Sequence, residues 1–243
     1  MNRVVFENDV CVVINKLPGE SAELPEAAAA AASDGTDCAL KSGREGELFP
    51  VHRLDTPVSG CLLLAKTPDA AAFLGAAFAR NDETVKKRYW AIVEMPSEKT
   101  FPPKGELVHW ICENRKANKS FAVSEACQTG KEDTPERKGR TRFKKAVLRY
   151  SLAGKGEHYL FLEIDLVTGR HHQIRAQLAA LGLHVKGDLK YGARRSDKAG
   201  IRLHAYSLAF PNPLNPGEII ETKAMPPVMD SLWEAFAEAV DIR

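Results

Sequence analysis

Long apolar runs are missing from this chain of 243 residues. None approaches the ~20 residues that a membrane-crossing helix needs. Met1-Asn2-Arg3 leads only into a short apolar stretch broken by Glu7 and Asp9, so no secretory signal is expected. Cysteine is scarce and unpatterned: Cys11, Cys38, Cys61, Cys112 and Cys127 are scattered and form no C-x-x-C pair. That argues against a disulfide framework or a zinc ribbon and fits a reducing cytoplasm. Also absent are a glycine-rich strand-to-helix fingerprint for a dinucleotide and any internal repeat. No metal and no cofactor are expected. What remains is ordinary for a globular chain with a full core, 44% of it hydrophobic.

Net charge is small, +2, but unevenly spread. Lys99 to Arg149 holds 13 basic and 6 acidic residues, net +7, which leaves −5 for the remainder. Arg137, Lys138, Arg140, Arg142, Lys144, Lys145 and Arg149 follow one another without an acid, as in a segment laid along phosphates or, equally, in a solvated strand face.

Hydrophobic periodicity predicts strands over Val10–Ile14, Cys61–Ala65, Lys87–Val93, Tyr159–Val167 and Ile201–Phe210. Pro18-Gly19 marks a turn, and Glu26–Ala32 reads as a small alanine-rich helix or linker. Thr67-Pro68 is a helix start, cap then first turn, for Ala70–Arg80. Helical spacing begins at His171, with Ile174, Leu178 and Leu181 on one face and Gly182 as terminator; Asp230–Val240 is a capped terminal helix. Strands outnumber helices, so the fold class expected is α+β with a mixed, mainly antiparallel sheet and flanking helices and loops.

The segment His52-Arg53-Leu54-Asp55-Thr56-Pro57-Val58-Ser59-Gly60 sets a carboxylate beside a cation in a turn before a buried strand. Ordered loops held by rigid elements are where chemistry concentrates. Lys87-Arg88-Tyr89, then Thr168-Gly169-Arg170-His171-His172-Gln173-Ile174-Arg175, then Leu203-His204-Ala205 follow in order, with Gly187-Asp188 and Tyr191-Gly192 between the last two. Together these segments resemble the pseudouridine synthases of the RluA type. Val58 departs from that pattern, which has threonine there; a change in loop packing rather than in activity is expected.

The resemblance implies isomerisation of uridine within RNA: the bond from ribose C1′ to uracil N1 breaks, the base turns, and C5 bonds to C1′. Asp55 would act as nucleophile or base, with Arg175 gripping its carboxylate through two hydrogen bonds and Tyr89 against the uracil. Arg53, Leu203 and His172 would bind substrate, Arg53 filling the space that a flipped nucleotide leaves. One catalytic domain over residues 1–243 is expected, with two subdomains flanking an RNA-binding cleft as a variant, acting as a monomer on ribosomal or transfer RNA and not on DNA. Many relatives carry a small RNA-binding domain ahead of the catalytic one; a first strand near Val10 leaves no room for it here. Two alternatives stay open. One is a metal-dependent phosphodiesterase built on His171, His172, His184, His204 and Asp188, although adjacent His171 and His172 on a helix would point apart. The other is an RNA-binding protein without catalysis.

Overall fold

The computed structural model describes residues 3–22, 48–80, 83–95, 101–124, 143–198 and 200–241. The anticipated helix over Glu26–Ala32, two of the cysteines (Cys38, Cys127) and the basic run from Arg137 to Arg142 lie outside these residues. The described strands are β1 (Val4–Glu7), β2 (Cys11–Lys16), β3 (Phe49–Pro50), β4 (Ser59–Ala65), β5 (Lys86–Glu94), β6 (Lys104–Asn114), β7 (Lys119–Val123), β8 (Lys144–Lys155), β9 (Tyr159–Leu166), β10 (Leu203–Asn212) and β11 (Asn215–Lys223). All belong to one sheet, in the order β1-β2-β4-β10-β5-β9-β8-β6-β7, with β3 beside β4 and β11 beside β10. Every pairing is antiparallel except β4 with β10. The mixed, mainly antiparallel sheet expected from the sequence is the sheet that forms.

The period of two along a strand divides the core. On β4, Leu62 and Leu64 join Val12, Ile14, Ala91 and Val93, while Cys61, Leu63 and Ala65 face the other way onto Ala70 and Leu74. Both faces are covered, which is why β4 reads as an unbroken apolar run. On β5, Tyr89, Ala91 and Val93 turn toward the first cluster, and Trp90 and Ile92 toward Trp233 and Phe236.

Helix α1 (Pro68–Arg80) starts as its letters predict, with Ala70 N–H donating to Thr67 Oγ1 at 3.2 Å. Helix α3 (Ser231–Asp241) is capped by Asp230, which accepts from Trp233 N–H. Helix α2 (Gln173–Ala180) starts two residues later than the spacing suggests. His171 and His172 form a turn ahead of it, and Gly182 (φ +74°) follows its end.

β10 carries two constraints that matter for the site. Its parallel pairing with β4 sets His204 opposite Ser59 and Ala205 opposite Gly60, so the loop ending at Gly60 is fixed to the strand bearing Leu203. Gly60 sits at φ +115° directly against the Ala205 backbone, a conformation and a proximity that only glycine tolerates.

Candidate active site

Four separated segments meet in one cleft of about 500 Å³. The loop before β4 brings Arg53, Asp55 and Val58; β5 brings Lys87 and Tyr89; the turn into α2 brings Arg170, His172 and Arg175; β10 brings Leu203. All six residues anticipated as site residues, Asp55, Tyr89, Arg175, Arg53, Leu203 and His172, line it.

The aspartate loop is tied at both ends. Val58 N–H donates to Asp55 O at 2.9 Å, and Gly19 N–H donates to Thr56 O at 2.8 Å. Lys16, fully buried, donates from Nζ to Leu17 O, Glu20 O and Thr56 O at 2.9 to 3.1 Å, which employs all three of its protons. Burial draws its pKa down to about 8, with Glu20 and then Asp55 opposing that fall and Arg3 adding to it. The sequence marks only the Pro18-Gly19 turn here; the signal for Lys16 is a lysine ending an otherwise apolar strand. Val58, 3% exposed, packs in the cluster with Leu54 and Leu203, so the departure from threonine puts a methyl where the core wants one.

Arg175, 4% exposed, approaches Asp55 as anticipated but grips it differently. Its paired hydrogen bonds go to Asp188: Nε to Oδ2 at 2.6 Å and Nη2 to Oδ1 at 2.8 Å. Only Nη1 reaches Asp55, at 2.9 Å to Oδ2. The expected two-bond grip on Asp55 is therefore a two-bond grip on Asp188 and a single bond to Asp55. Burial opposes the charge on Arg175, but Asp188 and then Asp55 outweigh it, and the guanidinium stays protonated. The Tyr191 ring lies against it, 4.8 Å from centroid to Cζ.

His172 occupies a left-handed conformation (φ +52°) as the residue preceding α2. Its Nδ1 is 3.0 Å from Tyr191 Oη and its Nε2 is 3.6 Å from Asp55 Oδ2. Burial brings its pKa down to about 4 despite the pull of Asp55, so the ring is neutral at pH 7. The tautomer protonated on Nε2 presents an N–H rather than a lone pair to the carboxylate. The rings of His171 and His172 stack at 3.8 Å instead of pointing apart, because the turn, not the helix, orients them.

The other histidines are committed elsewhere. His204 Nε2 donates to Ala224 O at 2.7 Å while Nδ1 accepts from Ser59 Oγ at 2.8 Å, and burial depresses its pKa to about 4. His184 Nδ1 donates to Tyr191 O. His52 Nε2 accepts from Leu63 N–H, its ring stacks on Phe78, and burial, then Lys87, pushes its pKa down to about 3. Among the described residues no group of three histidine, cysteine, aspartate or glutamate side chains converges as metal ligands would, so the phosphodiesterase alternative has no site there.

Tyr89 is buried, and burial followed by the charge of Asp55 raises its pKa, so at neutral pH its hydroxyl holds its proton. The Thr168–Arg175 turn is braced by Gln173, whose Oε1 accepts from Thr168 Oγ1 and Arg170 N–H and whose Nε2 donates to Val147 O. In the basic block, Lys144 and Lys145 are exposed. Arg149 turns instead to Glu106 and Glu83.

A buried cation thus holds a partly exposed carboxylate beside a protonated phenol and an apolar side chain in one cleft. Residues 10–180 match the family described as RNA pseudouridylate synthase, and the chain belongs to that family. It is 30% identical to a ribosomal large subunit pseudouridine synthase D of Zymomonas mobilis, over 95% of this chain and 71% of the relative. It is 33% identical to an uncharacterized RNA pseudouridine synthase of the same organism and 28% identical to a ribosomal large subunit pseudouridine synthase C of Vibrio cholerae. The chain spans 64% and 61% of the length of those two. In fold it is similar to human RNA pseudouridylate synthase domain containing 4, with a TM-score of 0.70, 20% identity and coverage of 98% of this chain and 92% of the other.

Proposed function

We propose that this protein isomerises uridine to pseudouridine within RNA. The observation that carries the reading is the Asp55–Arg175 pair, 2.9 Å apart at the edge of a cleft whose other walls are Tyr89 and Leu203. Asp55 Oδ2 is occupied by Arg175, while Oδ1 receives no hydrogen bond from any described residue and is the atom free to act at ribose C1′. Tyr89, protonated and on the cleft wall, packs against the uracil and can pass a proton to it. Leu203 is the apolar floor under the base. Arg53, exposed at the rim, takes the place of the flipped nucleotide, and His172 contacts the substrate beside Asp55. The C1′–N1 bond is broken and a C1′–C5 bond formed, C5 loses a proton and N1 gains one, so atoms and electrons balance without a metal or redox cofactor.

One domain spanning residues 1–243 accounts for this activity, since every described strand shares one sheet. It acts as a monomer: all six site residues come together within one chain, so the cleft needs no residue from a second copy. RNA, not DNA, is the partner, and phosphates are met by Lys144, Lys145 and the basic run preceding them. Free, buried Cys11 and Cys61 suit the cytoplasm. Ribosomal RNA is the first substrate to test, because two relatives are named for the large subunit; transfer RNA is the second. The test is transcriptome-wide pseudouridine mapping in cells lacking the gene, complemented with wild type or Asp55→Asn. Sites restored by wild type and not by Asp55→Asn are expected; an identical map in both would refute the reading.

A further inference from the structure

Asp188 is the residue at this site that no part of the reaction above uses. It is 1% exposed, does not line the cleft, and yet holds more of Arg175 than Asp55 does. Its own position is fixed by a tight turn. Asp188 N–H donates to Val185 O, its carbonyl accepts from Tyr191 N–H and Ala193 N–H, and Gly187 (φ +87°) and Gly192 (φ +97°) bracket the segment.

Resting on the function proposed above, we propose that Asp188 is a positioning residue that keeps Asp55 reactive by occupying the paired N–H groups of Arg175. The argument is geometric. A guanidinium is planar and presents paired donors that match the two oxygens of one carboxylate. Offered to Asp55 alone, Arg175 would engage both of its oxygens, and Oδ1 would no longer be free to react. With Nε and Nη2 committed to Asp188, the guanidinium plane is set, and Nη1 alone points at Asp55 Oδ2. Charge follows the same logic. One cation between two carboxylates leaves the trio net negative, so the charge of Asp55 is oriented without being cancelled. The Tyr191 ring lies over the guanidinium, 4.8 Å from its centroid to Cζ.

The test compares wild type, Asp188→Asn, Asp188→Glu and Asp55→Asn on RNA labelled with [5-³H]uridine in cells lacking the gene, following tritium released as C5 bonds to C1′. Saturating single-turnover rate and the enzyme concentration for half-saturation are measured separately, together with the thermal midpoint. Asn offers one acceptor instead of two, so Asp188→Asn is expected to lower the saturating rate at least tenfold while half-saturation stays within threefold. Asp188→Glu, which keeps the charge and shifts it by one methylene, should lose less. A role in folding alone would lower the thermal midpoint and leave the saturating rate of folded protein unchanged. That result, in either variant that folds, overturns the proposal. Release of no tritium by wild type would instead overturn the proposed function, and Asp55→Asn distinguishes enzyme-dependent release from background.

Discussion

Replacing Gly60 with alanine tests how the motif carrying Asp55 is joined to the strand carrying Leu203. A methyl group at this position would fall 2.3 Å from Ala205 O, 2.6 Å from Ala205 N and 2.7 Å from Ala205 C, all of them backbone atoms with no rotamer to change. Two costs add. Holding alanine at φ +115° costs roughly 1–3 kcal/mol. Relieving the overlap pulls β10 away from β4, where the pairing is only His204 with Ser59 and Ala205 with Gly60, and each lost hydrogen bond removes about 1 kcal/mol. We expect a loss of about 3–5 kcal/mol, or a fall of ~6–20 °C in thermal midpoint for a chain of this size. Gly75, within α1, is the control: its added methyl meets nothing within 4 Å, and Gly75→Ala should gain about 0.5–1 kcal/mol by helix propensity. Urea unfolding followed by circular dichroism reads both. Wild-type stability in Gly60→Ala would refute the claim that this glycine exists to let the two strands touch.

Three further outcomes are expected. Arg175→Met should abolish tritium release from [5-³H]uridine RNA while leaving RNA affinity within a fewfold of wild type, and its loss of a buried partner for Asp188 should cost about 3–5 kcal/mol in urea unfolding; unchanged turnover would remove the pair from the reaction. Tyr89→Phe separates the hydroxyl from the ring: a fall in rate with normal binding assigns proton transfer to the phenol, whereas an unchanged rate leaves the ring only a packing role. Stability should fall with pH below neutrality, because His52, His172 and His204 titrate in the fold at about 3, 4 and 4 against 6.5 when unfolded. Depressed folded values mean the unfolded chain takes protons first, so the stabilisation is complete above 6.5 and is lost as the pH drops. From pH 7.5 to 5.5 each histidine gives up about 1 kcal/mol, and a flat urea midpoint across that window would contradict it.

How much of this was legible in the letters follows from the range of the interactions involved. Strand β4 and the start of α1 depend on neighbours in sequence, an apolar run and a Thr-Pro cap, and both were readable. The meeting of Asp55, Tyr89, Arg175 and Leu203 in one cleft followed from resemblance, since nothing local brings residues 120 positions apart to 2.9 Å. What resemblance did not supply is the division of Arg175 between two acids. Asp188 was visible as part of a Gly-Asp turn, but its carboxylate matters only because that turn packs beneath α2, a tertiary fact with no periodic signature. His172 misled for a similar reason. Helical spacing placed it on a helix, while a positive φ, unusual outside glycine, puts it in the preceding turn and aims its ring at Asp55. Such a departure from local preference persists only where surrounding contacts hold it, and here Tyr191 does. The same ring bears on Arg175, and the same hydroxyl accepts from Ser120 N–H on β7. A residue that braces both partners of Asp55 is therefore anchored to a strand on the far edge of the sheet. Tyr191 thereby ties β7 to both partners of Asp55, although neither β7 nor Tyr191 lines the cleft.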